Sequence, residues 1–338
     1  MKKKRRYVKR FAIGCSLIFG LFLTCIVAFY LSMLSGPDAL DLTAYHPFRS
    51  LQAQDQFLAL YDEREKDWPV SFETRMIETS YGLTYVRISG QESAPPLVLL
   101  HGAGSNSLVW ETNVKSFSQS YRVIAIDNIY DYGRSIYEVE MQNSKDFALW
   151  LDEVFAYLKL GNNDVNLVGL SYGGWLTSQY ALFSPARLDK IVMIAPASTV
   201  LSINFEWAGR ATLALLPHRS FSKNFFYWLF EDSVNQGAGS QKFVDRAVEE
   251  TYLARQCFKP KMMVNPTVLT DHELQQIAVP VLFLVGENEK MYSAQEAVER
   301  LKTVAPNIET KIIPDAGHDL TIVQADIVNE TIMEFLEQ

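Results

Sequence analysis

Residues 169–174 read GLSYGG and fit the pattern G-x-S-x-G. A serine hydroxyl is a poor nucleophile until a base removes its proton. Gly169 and Gly173 allow the tight strand-to-helix turn that would lift Ser171 clear of the backbone. The apolar run DVNLV precedes the motif and the helix-compatible WLTSQYAL follows it, which is the context such a turn requires. The base must be sought among five histidines. His318 follows ETKIIPDAG, just past the last strand candidate, and is the expected base. His46, His218 and His272 read as solvated loop residues. The base in turn needs an acid that orients the imidazole and stabilises its charged form. The stretch after VPVLFLVG is ENEKMY, with Glu287 and Glu289. Glu289 lies further from the strand end, where a returning loop can aim it at His318, and is the expected acid. Glu287 reads as a solvated turn residue. Asp315 and Asp319 are too near His318 in sequence for the usual geometry.

An attack on a carbonyl also needs donors for the developing oxyanion. HGAG, residues 101–104, directly follows an apolar run. The backbone N–H groups of Ala103 and Tyr172 are the expected donors. His101 is expected to shape this loop, and Gly102 and Gly104 to allow close backbone approach. H-E-x-x-H is absent, as is a nucleotide-type glycine loop. Neither a metal nor a cofactor is therefore expected.

These residues must be positioned by alternating elements. PLVLL (96–100), YRVIAID (121–127), DVNLVGL (164–170), KIVMIA (190–195) and VPVLFLVG (279–286) are near-continuous apolar runs. Such runs suit parallel strands covered on both faces. Residues 145–160 carry a helical apolar period through Phe147, Leu151, Val154, Phe155 and Leu158. Further helices are expected over 175–183, from Ser293 and from about Ile322, with a strand at ETKIIP. Two short strands, SFETRMIE and LTYVRIS, precede this body. The alternation breaks over 198–275, which is rich in aromatics (Phe205, Trp207, Phe221, Phe225, Phe226, Tyr227, Trp228, Phe230) and reads as helices inserted over the sheet's carboxyl edge. Most of these rings are expected to be core. Thr270 with Glu273 resembles a capping box. The implied fold class is α/β, a mostly parallel, doubly covered sheet. Its core would span 68–197 and 276–338, with 198–275 as the inserted cap.

The chain of 338 residues carries a net charge of -8, unevenly spread. Residues 1–10, MKKKRRYVKR, hold seven basic groups; the remainder has 24 basic against 39 acidic residues, a net of about -15. So acidic a body argues against nucleic acid as a partner. Residues 11–34 form an uncharged apolar stretch long enough to span a bilayer as a helix. The expected arrangement is a single-pass anchor at 11–34 with the basic flank cytoplasmic, a juxtamembrane segment at 35–67, and the body outside. A cleaved signal is the lesser alternative. Of three cysteines, Cys15 and Cys25 lie in the apolar stretch and Cys257 is alone in the body. No disulfide within the body is possible.

Taken together, HGAG, DNIYDYGRS (127–135), GLSYGG, VGENE and DAGH resemble the α/β-hydrolase superfamily over about residues 80–338. More narrowly, the chain is similar to bacterial carboxylesterase-like members whose acid is a glutamate in a GExE loop. The resemblance implies Ser171 as nucleophile, Glu289 as acid, His318 as base, Ala103 and Tyr172 as the oxyanion hole, and 198–275 as the cap. Two positions depart from the usual pattern. Glutamate replaces the commoner aspartate at 289, and Tyr130 and Tyr132 stand where small residues are common. The expected reaction is hydrolysis of a small or hydrophobic carboxylic ester through an acyl-enzyme on Ser171. Hydrolysis of an amide, lactone, thioester or carbon–carbon bond begins with the same attack and stays open. A third alternative is an anchored binding or signalling protein without turnover. A serine nucleophile argues against the branches that use aspartate.

Overall fold

The computed structural model describes residues 46–338. The basic flank, the apolar stretch 11–34 and the start of the juxtamembrane segment lie outside the described residues. Among the described helices none is long and apolar enough to cross a membrane.

Nine strands make one sheet: β1 (Phe72–Thr79), β2 (Gly82–Ser89), β3 (Pro96–Leu100), β4 (Arg122–Ile126), β5 (Ile136–Tyr137), β6 (Val165–Leu170), β7 (Leu188–Ile194), β8 (Val281–Gly286) and β9 (Ile308–Ile313). Their order is β1-β2-β4-β3-β6-β7-β8-β9, with β5 paired to β2. All pairs from β4 to β9 are parallel; β2 runs antiparallel to β1, β4 and β5.

The apolar runs are continuous because both faces are covered. Side chains alternate across a strand, so each run divides between two cores. Val98, Leu100, Ile124, Ile126, Ile191, Met193 and Phe283 face one side. There they meet α3 (Ser144–Tyr157), α4 (Tyr172–Phe183) and α10 (Ala294–Val304). Leu97, Leu99, Val123, Ala125, Val192, Leu282 and Leu284 face the other, against α1 (Leu51–Glu65), α2 (Val114–Phe117) and α12 (Ala325–Glu337). The period expected over 145–160 does bury Phe147, Leu151, Val154, Phe155 and Leu158.

Residues 46–67 belong to the body rather than standing beside it. Ser50 caps α1 by accepting from the Ala53 N–H at 3.0 Å. Phe48 bridges to Phe258, their rings 4.2 Å apart, and Phe57 meets Phe258 edge-on at 4.8 Å. Arg87, fully buried, pairs with Glu65 at 2.6 Å and donates to Ser107 Oγ at 3.1 Å. A charge so deep is costly unless paired, so α1 is required wherever β2 is in place.

Between β7 and β8 lie α5 (Phe205–Ala214), α6 (Arg219–Leu229), α7 (Glu231–Gln236), α8 (Ala238–Cys257) and α9 (Asp271–Gln276). The capping box at Thr270 and Glu273 opens α9 with both reciprocal bonds. The aromatics expected to be core are not. None of the eight is fully buried, and Phe205 is 97% exposed. Several meet one another, Trp207 edge-on to Phe225 and Phe226 tilted against Phe230, and Trp207 also packs against the core at its margin. Short cap helices lack the breadth to cover rings on both sides. We predict that Phe57→Ala, which empties the joint between α1 and the end of α8, destabilises the fold by about 3–5 kcal/mol, read as a lowered urea midpoint with unchanged slope.

Candidate active site

Ser171 directly follows β6 and caps α4 with φ 55° and ψ -114°. A non-glycine residue in that region carries strain of about 1–3 kcal/mol and persists only where its surroundings enforce it. They do so here. The Ser171 N–H donates to Ile194 O at 2.8 Å, and its carbonyl accepts from Trp175 N at 3.1 Å and Ala197 N at 3.0 Å. The turn closes so tightly that a Cβ on Gly169 would overlap the Gly173 carbonyl, and one on Gly173 would overlap the Leu100 carbonyl. These glycines are thus required by close approach, since neither has positive φ.

The HGAG loop lies beside Ser171: a Cβ on Gly102 would stand 3.2 Å from Ser171 Cβ and 3.7 Å from its Oγ. Gly104 differs from expectation. Nothing crowds it, and what it supplies is a φ of +75°. His101 is fully buried; its Nε2 accepts from Asn128 N at 2.9 Å, which places the ring proton on Nδ1, 2.8 Å from Gly102 O. With both nitrogens engaged, His101 shapes the loop. A peptide unit is planar with its C=O and N–H opposed. Holding Gly102 O therefore fixes the direction of the Ala103 N–H, and the two bonds on Ser171 O fix that of Tyr172 in the same way. Neither N–H has a protein acceptor among the described residues. Tyr172, as the first residue of a helix, has no intrahelical one to find.

On the other side, His318 Nδ1 is 2.8 Å from Glu289 Oε2, and the Glu289 side chain is wholly buried. Its other oxygen accepts from the N–H groups of Lys290 and Met291, both at 2.8 Å. Every bond therefore fixes the carboxylate towards the imidazole. Glu287 is exposed and only brushes the Asp315 N–H at 3.5 Å. Burial pulls the His318 pKa down, but the neighbouring Glu289 carboxylate and its hydrogen bond, with Asp319 adding, outweigh it and leave the imidazole above 6.5. The associated stability is fully present below about pH 6.5 and falls away as pH rises through the raised folded value. No hydrogen bond joins Ser171 Oγ to His318 among the described residues; that contact commonly tightens only with substrate.

The sequence reading missed how the cap holds this side. Phe230 stacks on the His318 ring at 6.3 Å and 6°. The next three residues each grip an active-site loop. Glu231 pairs with Lys290 at 2.8 Å, Asp232 accepts from Asn288 at 3.2 Å, and Ser233 N donates to buried Asp319 at 2.7 Å. No local motif encodes such a latch. Tyr130 and Tyr132, the departures in the 127–135 loop, prove to be packed rings. Tyr130 meets Tyr137 at 4.7 Å and Tyr132 meets Phe258 at 4.9 Å. Among the described residues no cluster of His, Cys, Asp and Glu is placed to hold a metal. A surface hollow of about 300 Å³ between Phe72, Ile88, Gly90 and Arg122 opens at the opposite edge of the sheet, and we assign it no part in this chemistry.

A strained serine at a strand-to-helix turn, an acid-held histidine and two directed N–H groups at the carboxyl edge of a parallel sheet define the geometry of a serine hydrolase. The chain belongs to the alpha/beta hydrolase family, whose model matches residues 97–331. It is 33% identical over 292 residues to carboxylesterase YbfK of Bacillus subtilis, covering 86% of this chain and 96% of that one. It is 34% identical over 282 residues to the uncharacterized carboxylesterase nap of the same organism, covering 83% and 92%. The crystal structure of naproxen esterase from Bacillus subtilis superposes with a TM-score of 0.76 at 32% identity, covering 84% and 98%.

We predict that the His318 imidazole, followed by NMR, titrates above 6.5, and that Glu289→Gln brings the midpoint down, because burial then acts with less opposition.

Proposed function

We propose that the protein hydrolyses carboxylic esters through an acyl-enzyme on Ser171. The observation that carries this is the strained, hydrogen-bonded turn at Ser171 with the Gly102–Ala103 peptide beside it. The similarity to carboxylesterases over most of both chains supports the choice of an ester. In this reading His318, oriented by Glu289, takes the Ser171 proton as the hydroxyl attacks the acyl carbonyl. The Ala103 and Tyr172 N–H groups receive the oxyanion. His318 then protonates the departing alcohol, and water repeats the sequence to release the acid. The half-exposed rings of the cap, with Phe230 against His318, favour an apolar acyl or alcohol group.

The same reading places the enzyme at a membrane through the uncharged stretch 11–34, with its basic flank cytoplasmic and the body outside. Residue 48 is already packed in the body.

The test is hydrolysis of aryl esters of rising acyl length by the full chain. Wild type is expected to turn over and to be labelled by a fluorophosphonate at Ser171. Ser171→Ala should abolish labelling, and His318→Ala should lower kcat by about 10³-fold or more. Labelling without ester turnover would shift the assignment to amides or carbon–carbon bonds; neither would leave a non-catalytic protein. In cell fractionation the wild type is expected to sediment with membranes and resist high salt, whereas deletion of residues 1–34 should release it.

A further inference from the structure

The cap residues that open α7 meet the chain neighbours of both Glu289 and His318. Glu231 pairs with Lys290 at 2.8 Å, and both oxygens of Asp232 accept from Asn288 Nδ2 at 3.2 Å. Asn288 and Lys290 are the two residues that flank Glu289. On the other loop, a Cβ on Gly317 would stand 3.2 Å from Asp232 Oδ2, and the Ser233 N–H donates to Asp319 Oδ2 at 2.7 Å. Gly317 and Asp319 are the two residues that flank His318. Three consecutive cap residues thus lie against all four positions beside the acid and the base.

These contacts differ in weight. Glu231 and Asn288 are exposed, so water competes for their bonds and the ion pair contributes little. Ser233 and Asp319 are buried, and a hydrogen bond to a carboxylate there leaves a costly unmet donor when it is lost. Asp319 also spans its own loop: its Oδ1 accepts from the Gly317 N–H at 3.3 Å. That bond closes a short ring around the backbone of His318. One carboxylate therefore holds the cap with one oxygen and the base's own turn with the other. The two loops are also joined directly, Asn288 N to Ala316 O and Glu287 N to Ile313 O, both at 2.9 Å. Those bonds set the loops side by side without reaching the residue that carries the imidazole.

We propose that Asp319 is a positioning residue of the base: through Ser233 and Gly317 it fixes the backbone of His318, and with it the direction in which the imidazole meets Glu289. The inference rests on the hydrolase reading above for its kinetic consequence, but the alignment itself can be measured without turnover. In this arrangement the first turn of α7 is a condition of the acid–base pair as well as part of a cover over it.

Asp319 also acts on His318 by charge. It favours the protonated imidazole, after the larger influence of Glu289. Charge and positioning separate by substitution. Asp319→Asn and Asp319→Ala remove the charge equally, but the first keeps one oxygen for one of the two N–H groups and the second keeps neither.

The test uses the full-length chain, with each Asp319 variant made alone and together with Glu289→Gln. For an aryl ester, kcat is expected to fall about tenfold in Asp319→Asn and about 10²-fold in Asp319→Ala, with KM little changed. With Glu289→Gln already present, Asp319→Ala should lower kcat by less than about threefold, because the group it aligns His318 with is gone. Independently of turnover, the Nδ1 proton of His318 is followed by NMR with isotope-labelled histidine. Held by Glu289, it should give a downfield resonance in wild type that weakens in Asp319→Asn. In Asp319→Ala it should vanish through exchange with solvent, at temperatures where the variant is still folded. Equal losses of kcat in the two variants would overturn the proposal in favour of charge alone. An undiminished loss on top of Glu289→Gln, or a retained resonance in Asp319→Ala, would also overturn it. Should Asp319→Ala fail to fold, Asp319→Asn decides the matter by the same resonance and the same cycle. If wild type turns over no ester but its resonance is present and is lost in Asp319→Ala, the hydrolase reading fails and the positioning role stands.

Discussion

The strained backbone at Ser171 is the constraint on which the rest of the site depends. A strand can hand a serine to a helix with its hydroxyl presented outward only if φ turns positive and the two segments cross almost in contact. That crossing removes the side chains at 169 and 173 and sets the first turn of α4 against the end of β3. It also brings the HGAG loop, which continues β3, next to the hydroxyl. The Ala103 and Tyr172 N–H groups are thus brought to Ser171 by the same packing that strains it. The parallel sheet is what makes the strain tolerable, because Ile194 at the end of the neighbouring strand β7 accepts the Ser171 N–H.

The electrostatics follow a division of labour. On the acid side, Glu289 spends one oxygen on two backbone N–H groups and the other on the imidazole, so it cannot rotate away without leaving buried donors unmet. On the other side, His101 holds Gly102 O at 2.8 Å and Asp131 accepts the Gly104 N–H at 3.0 Å. Both sides are tied to the inserted segment, the first through residues 230–233 and the second through the Tyr172 OH bond to Val264 O at 2.8 Å. The inserted segment therefore contacts the loops on both sides of Ser171.

The α1 segment extends these contacts towards the N-terminus. Tyr61 OH donates to Asp127 at 3.0 Å, and Asp127 receives the N–H groups of Ser107 and Arg134 at the edge of the loop that carries Asp131. Arg64 pairs with Glu250 on α8 at 2.9 Å, and Glu250 also accepts from Asn106 beyond the HGAG loop. Residues that a linear reading assigns to a juxtamembrane segment are in this way bonded to both the inserted helices and the stretch beyond the HGAG loop.

What could be read from residue order was whatever depends on local backbone physics. Continuous apolar runs announced strands covered on both faces, and the helical period at 145–160 announced α3. G-x-S-x-G between a strand and a helix announced the turn at Ser171, and Glu289 was separable from Glu287 by its distance from the strand end. The cap aromatics misled, because hydrophobicity signals burial only where enough neighbouring structure exists to enclose a ring. Only the tertiary structure could decide that Gly104 serves by its φ, that Asp319 is a cap anchor, that α1 is core, and that Lys261 sits among three tyrosine rings. Each of these depends on residues from separate segments meeting in space, with charges and hydrogen bonds balanced among them. No spacing along the chain encodes that balance, because burial and partners are set only when the sheet and the cap have closed on one another.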